Sequence, residues 1–397
     1  MHRPVDDDPR RWRILALLTC AELLGVSPWF TASAVSPQLR ELWGLSVAEG
    51  ALLVTMVQIG FVVGTALAAV LNLADLVPAR RYFAVCALLA AAVNGLLVVA
   101  PSYAQALILR FLTGFFIAGV YPPAMKMIAT WFRRSRGLAI GSIVGALVVG
   151  KATPYLIRAL GETSYRAVVL SASAAAVVAS LLVAWCYRDG PHRFASKPFS
   201  WSLVGTVVRH RPTRLATFGY LGHMWELYAM WAWIPAFLLA SAQSRAGSSA
   251  TDIRWVDAAA FGAIAAGGLG CVWGGWAADR TGRERLVIQA MAASGLCSLG
   301  IGFFFGASPW ILVPIAWVWG FFVVADSAQF SALVTEVAPQ HAVGTALTLQ
   351  TSLGFLLTTV TIQLVPELVA GFGWRWAFPL LALGPAAGIA AIRRLRA

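Results

Sequence analysis

The sequence predicts an all-α membrane protein of twelve transmembrane helices, built as two pseudo-symmetric six-helix bundles. Three observations predict it. Hydrophobic residues make up 59% of the chain and charged residues 12%, with a mean hydropathy of +0.75; a soluble domain usually carries about 25% charged residues. Apolar runs long enough to cross a hydrocarbon core of ~30 Å as helices occur at 14–36, 47–71, 82–101, 105–131, 137–160, 166–187, 215–241, 257–278, 286–306, 310–334, 343–366 and 374–392. They are too long, and too uniformly apolar, for barrel strands of ~10 alternating residues. Finally, residues recur 204 positions apart: Glu22 and Glu226, Trp29 and Trp233, Gly64 and Gly268, Asp75 and Asp279. A tandem duplication of one membrane module explains the recurrence, and duplicated halves around a midplane site are the plan of many secondary transporters.

The runs are numbered here as spans 1 to 12. Between spans 6 and 7 lies the longest polar stretch, 188–214, with Pro191, Pro198 and Pro212. It divides the chain into a bundle over 1–187, a linker over 188–214 and a second bundle over 215–397. Ser200 to Val208 within the linker is a candidate short interfacial helix. The net charge of +13 would suit a nucleic-acid partner, but its distribution argues for topology instead. Of the 30 Lys and Arg residues, 21 fall on the side of the termini and six on the other side. This is the positive-inside pattern, and it predicts both termini in the cytoplasm. Span 1 is too long for the apolar core of a signal peptide. The five cysteines lie in or at the ends of spans with no CxxC pair, so neither a disulfide framework nor a metal site is expected, and no cofactor is called for.

The first span of each copy carries a carboxylate, Glu22 and Glu226. An ionisable group at that depth costs several kcal/mol and persists where it faces a cavity or a partner. On span 1, Glu22, Trp29 and Ser33 share a face, and the repeat sets Glu22 opposite Glu226. On span 4, Arg110, Thr113 and Tyr121 form a stripe; Arg110 is either an anion anchor or an arginine that snorkels to the interface. Span 5 carries Lys151, Tyr155 and Arg158 at 0, +4 and +7. Lys151 is too deep to snorkel and must meet an acid, a substrate or water. Gly137, Gly141 and Gly145 on that span form a small-residue face for close helix packing. Span 7 places His223, Glu226, Met230 and Trp233 on one face. His and Glu one turn apart can share a proton, which suits a coupling site; the bland alternative is an interhelical hydrogen bond. A copper site from His223 and Met230 is much weaker, because softness alone does not make a coordination set. Asp326 on span 10, with Gln329 a turn later, adds a third acid. Span-end tryptophans read as interfacial belts, whereas those within spans 7 and 10 either line a cavity or pack helices.

A short loop carries a resemblance. Gly275-Trp276-Ala277-Ala278-Asp279-Arg280-Thr281-Gly282-Arg283-Glu284-Arg285 resembles the loop signature of the major facilitator superfamily. The first copy, from Leu71 to Arg81, keeps Asp75, Arg80 and Arg81 but loses both glycines and the first basic residue. Arg110-Phe111-Leu112-Thr113-Gly114 in span 4 is similar to a second element of that superfamily. The resemblance covers the whole chain and implies a bacterial inner-membrane porter whose spans 1, 4, 7 and 10 surround a central cavity. Physically, Gly275 would let span 8 approach its neighbour, and Asp279 would pair with Arg280 or Arg283, latching the cytoplasmic side. The chain is also similar to porters labelled nitrate/nitrite-like or metabolite porters. It lacks, however, the Arg in spans 2 and 8 and the Asn in spans 5 and 11 that nitrate porters carry. The antiporter Gly-Pro pair of span 5 is absent too, since Gly150 and Pro154 stand apart.

These residues predict a proton-coupled secondary transporter working by alternating access, a monomer whose partners are a small solute, protons and the lipid bilayer. The basic set (Arg110, Lys151) favours an organic anion entering with protons. The acids with aromatics (Glu22, Glu226, Asp326, Trp233) favour instead a proton antiporter exporting a lipophilic cation, drug or metabolite. A channel would need a continuous polar pore. An enzyme would need a nucleophile–base set or a metal, and neither HExxH nor GxSxG occurs in the chain.

Overall fold

The apolar runs become helices in the predicted order. The structure is a computed structural model that describes residues 8–71, 73–132, 136–161, 164–192, 199–246 and 253–396, and among these there is no strand. Spans 2, 3, 5 and 6 are Val47–Val70, Ala79–Leu96, Arg136–Ala159 and Tyr165–Cys186. Spans 7, 8, 9, 11 and 12 are Arg211–Ala246, Ile253–Thr281, Arg283–Gly300, Val343–Phe372 and Leu383–Arg396. Several helices outrun the apolar stretch that announced them, because a helix continues into polar sequence until a breaker or a cap ends it. Span 2 starts at such a signal: Ser46 and Glu49 form a reciprocal capping box, which satisfies two otherwise orphaned amides.

Three spans depart from expectation by being broken. Span 1 is Arg10–Gly25, a turn over 26–30, then Thr31–Ala34 and Ser36–Trp43. Pro28 sits in the turn and has no amide hydrogen to continue a helix. Span 4 is Tyr103–Ile117 and Tyr121–Ala129, with prolines in the first turn of the second piece, where a missing donor costs nothing. Span 10 is Pro309–Ala325 and Ser327–Val337, with Asp326 at the junction. Broken helices at membrane depth free backbone groups, which persist only when protein or a cavity satisfies them. Among the described residues, ten helices are long and apolar enough to cross a membrane by composition. The two remaining segments are broken span 1 and span 7, whose interior carries His223 and Glu226.

Lipid gives little hydrophobic drive between helices, so close backbone approach does the packing. In the first half a side chain at Gly60 would run into the carbonyl of Phe111, and one at Gly114 into that of Val57, so spans 2 and 4 lie backbone to backbone. Two seams join the halves. Spans 5 and 8 meet where a Cβ on Gly145 would lie 3.0 Å from the Gly268 carbonyl. Spans 2 and 11 meet through Gln363 Nε2, which donates to Thr55 Oγ1 at 3.0 Å, and through the Phe61 and Phe355 rings at 4.5 Å. The linker forms the helix Trp201–Arg209, anchored by the Ser200 amide on Thr345 Oγ1 at 3.0 Å.

Candidate functional site

Between the halves, on the face opposite the termini, lies a cavity of about 340 Å³. Its walls are helical stripes: Gly50, Ala51 and Val54 of span 2, Tyr155 and Arg158 of span 5, Ala232 to Leu239 of span 7, and Ile362, Pro366 and Val369 of span 11. Followed one turn deeper, each stripe reaches a buried residue. Span 2 leads to Gln58, span 5 to Lys151, span 7 to Tyr228, and span 11 to Thr358 and then Phe355. Ser33 and Trp233 line the bottom of the cavity, with Trp29 four residues before Ser33. The cavity therefore ends on a buried cluster at the centre of the molecule.

Lys151 is the hub of that cluster. Its ammonium lies 3.7 Å from the Trp29 ring centre, 4.6 Å from Tyr228 and 5.3 Å from Trp231, and it donates a hydrogen bond to the Tyr228 hydroxyl. An aromatic face is the cheapest place for a cation out of water, short of an anion. The box draws on both halves: Trp29 and Phe61 from the first, Tyr228, Trp231 and Phe355 from the second. Lys151 and Phe355 are themselves 204 positions apart, so the repeat places a cation in one half opposite a ring in the other. Glu22 is fully buried on span 1 and lies within electrostatic range of Lys151, although the two form no ion pair. Neither of its oxygens has a hydrogen-bond partner among the described residues.

The other acids are arranged differently from the sequence expectation. His223 pairs with Asp326 through Nδ1 at 2.9 Å, and both are almost wholly buried. It does not pair with Glu226, its neighbour on the helix. Glu226 turns into the second bundle, where Ser294 Oγ donates to one oxygen at 2.7 Å and Trp319 Nε1 to the other at 2.8 Å. Glu22 and Glu226 thus occupy equivalent positions without facing each other. Asp326 reaches His223 because it stands where span 10 breaks.

Arg110 neither snorkels nor points into the cavity. It is wholly buried. Its guanidinium donates to the carbonyls of Pro28 at 3.1 Å and Trp29 at 2.5 Å, and to Asn94 Oδ1 at 2.7 Å. Asn94 in turn donates to Ser173 Oγ at 3.0 Å and to the Val169 carbonyl at 3.3 Å. The guanidinium satisfies the carbonyls that the break in span 1 exposes, and in doing so it fixes Trp29. Trp233 Nε1 is likewise committed, donating to Ile362 at 2.8 Å across spans 7 and 11.

Comparison with known proteins agrees with this architecture. The sequence model of the Major Facilitator Superfamily matches residues 17–362. The chain belongs to the major facilitator superfamily. Solved structures similar to it include a mutant of the nucleoside transporter NupG, at 13% identity and TM-score 0.75, covering 96% of this chain and 99% of that one. A bacterial homologue of the human lysosomal transporter Spinster, in an inward-facing and occupied conformation, matches at 14% identity and TM-score 0.69, covering 98% of this chain and 97% of that one. At such identities the likeness establishes the fold alone. No curated protein sequence matches the chain. The protein is accordingly a multi-pass membrane protein and a secondary transporter of a small solute, not an enzyme.

The facilitator's loop motif can now be seen in place. Gly282 starts span 9 with φ of 89°, a conformation that favours glycine. Its first-copy counterpart Pro78 has φ of −54°, so the two loops take different paths. Arg283 donates to Glu336 and to Gln329 Oε1, both at 2.7 Å. Gln329 therefore belongs to this cluster rather than to the central site. Arg280 lies over the Trp276 ring at 3.9 Å and bonds the Trp276 carbonyl. Asp279 is exposed, and no pairing with Arg280 or Arg283 is present among the described residues. Beside Gly275, a Cβ on Gly274 would meet the Ala325 carbonyl of span 10. In the first copy Arg80 reaches the Tyr187 carbonyl at 3.4 Å, Arg81 is exposed, and the side chain of Asp75 lies outside the described residues.

Gln58, Asn94, Tyr228 and Phe355 were not singled out from sequence. Tyr228 carried a usable signal, a polar ring on the span that holds His223 and Glu226. Gln58 carried one too, as an amide inside an apolar run.

Proposed function

We propose that this facilitator imports a small organic anion together with a proton. The observation that carries the reading is Lys151, a cation buried on an aromatic box shared by the two halves, with the carboxylate of Glu22 buried within its electrostatic range on span 1. Empty, the pair is electrically balanced. A proton on Glu22 leaves Lys151 uncompensated, and an anion beside the ammonium restores balance. A site holding either ligand alone keeps an unpaired charge out of water, at a cost of several kcal/mol. The empty site and the doubly loaded site are therefore the two cheap states in which to exchange faces, and that makes transport a symport.

The remaining residues have roles consistent with this. Arg110 holds the bend that presents Trp29, and the His223–Asp326 pair offers a second proton position at the break in span 10. The excess of basic residues on the terminal side supports an orientation with both termini in the cytoplasm of a bacterial inner membrane and the cavity facing outward.

A ligand panel tests the substrate class. Purified protein is melted at pH 6 and pH 7.5 with pooled organic anions, organic cations, amino acids, nucleosides and sugars, since binding raises the melting temperature by mass action. Stabilisation by anions, stronger at pH 6, is expected. Stabilisation by lipophilic cations, stronger at pH 7.5, would replace this reading with export by proton antiport through Glu22 and Asp326.

A further inference from the structure

We infer that Gln58 is a specificity-determining residue that hydrogen-bonds an uncharged hydroxyl, oxo or amide group on the transported anion. The inference rests on the anion reading above and narrows it to polar-substituted carboxylic acids. Gln58 has no exposed surface, and neither its amide oxygen nor its amide nitrogen has a partner among the described residues. More than nine in ten buried polar groups are paired, and an unpaired donor or acceptor costs about 1–3 kcal/mol. Gln58 carries one of each.

Its position says what the amide is for. Gln58 continues the cavity-lining stripe of Gly50, Ala51 and Val54 one turn inward. Phe61, the next residue on that stripe, packs on Trp29 at 5.0 Å between ring centres. Along span 2, Gln58 thus sits one turn beyond the cavity lining and one turn before Phe61, which packs on the box that holds Lys151. Across the seam Thr358 Oγ1 bonds the Phe355 carbonyl at 2.6 Å and Gln363 bonds Thr55, whereas the Gln350 amide, about two turns nearer the termini on span 11, is orphaned like that of Gln58. Two further orphaned donors lie in the box, the indole nitrogens of Trp29 and Trp231. A carboxylate against Lys151 and these indoles directs the substrate's other end toward the cavity, the side on which Gln58 continues the lining stripe of span 2. A group that can both donate and accept completes the site there; a plain hydrocarbon leaves the amide orphaned.

The test uses matched acids that differ by one hydroxyl remote from the carboxylate, 4-hydroxyphenylacetate against phenylacetate and 4-hydroxybutyrate against butyrate. Dissociation constants come from titrations of the melting temperature of the full-length protein. Wild type is expected to prefer the hydroxy acid by ~10-fold or more, the discrimination typical of a site built to hydrogen-bond. Gln58→Met should bring the two constants within ~2-fold of each other while leaving phenylacetate binding within ~3-fold of wild type. Gln58→Asn, which keeps the amide on a side chain one methylene shorter, should reduce the preference without abolishing it, and it serves if the Met variant does not fold. An equal affinity for both acids in wild type, or a preference that survives both substitutions, overturns the assignment while leaving anion transport intact. If wild type binds no carboxylic acid at all, the anion reading fails and this assignment falls with it.

Discussion

At the residue scale, the same side-chain chemistry serves opposite ends. Lys151 and Arg110 are both buried cations, yet Lys151 rests on aromatic faces while Arg110 is spent on backbone carbonyls. Lys151→Gln should therefore abolish anion-dependent stabilisation and leave the unliganded melting temperature within a few degrees of wild type. Arg110→Ala should do the reverse. It orphans the carbonyls of the span 1 bend, a loss of about 2–4 kcal/mol, read as a lower melting temperature in the absence of ligand. A destabilised Lys151 variant with normal ligand response would exchange the two assignments. Glu226, hydrogen-bonded on both oxygens, belongs with Arg110. Glu226→Gln should lower the melting temperature, because an amide cannot accept on both sides, and uptake per folded molecule should retain its proton dependence. Position along the chain marked Lys151, Glu226 and His223 as buried and left Arg110 open between an anchor and a snorkelling side chain. It did not reveal their partners, since Glu226 turns to Ser294 and Trp319, and His223 to Asp326, on other helices.

At the scale of the element, the breaks decide the site. Trp29 reaches Lys151 because span 1 bends at Pro28, and Asp326 reaches His223 because span 10 is interrupted. Pro28 and the Pro122–Pro123 pair mark the bends of spans 1 and 4 in the sequence, but a hydropathy reading averages over them. Nothing comparable marks span 10. The loop after span 8 is a second case. Its motif was recognisable from sequence, but the ion pair it forms uses Arg283 with Glu336 on span 10, a residue outside the motif. Accordingly Arg283→Gln should raise the thiol-labelling rate of a cysteine placed on the terminal side of span 10, in a cysteine-free background. Asp279→Asn should change it much less. Equal effects would restore Asp279 as the centre of the latch.

At the scale of the whole molecule, the twofold repeat was legible from four residue pairs, and with it the fold. What the repeat conceals is asymmetry. Lys151 has Phe355 as its counterpart, Gly282 has Pro78, and Glu22 and Glu226 differ in every partner. Among the described residues, an ion pair joins the halves at the cavity wall, where Arg158 Nε lies 3.1 Å from Asp257 Oδ2 between spans 5 and 8, and Arg158 also bonds the Ala34 carbonyl. Asp257→Asn should loosen that side and speed labelling of a cysteine at Ser33 by an impermeant thiol reagent; an unchanged rate would mean the pair does not hold the halves together. The central claim is that Glu22 and Lys151 couple an anion to a proton, and proteoliposomes with an imposed inward proton gradient test it most directly. For an anion that stabilises the purified protein, wild type should accumulate it against its concentration gradient. Glu22→Gln should catalyse exchange of internal for external anion without accumulation. Full gradient-driven accumulation by Glu22→Gln would contradict the account.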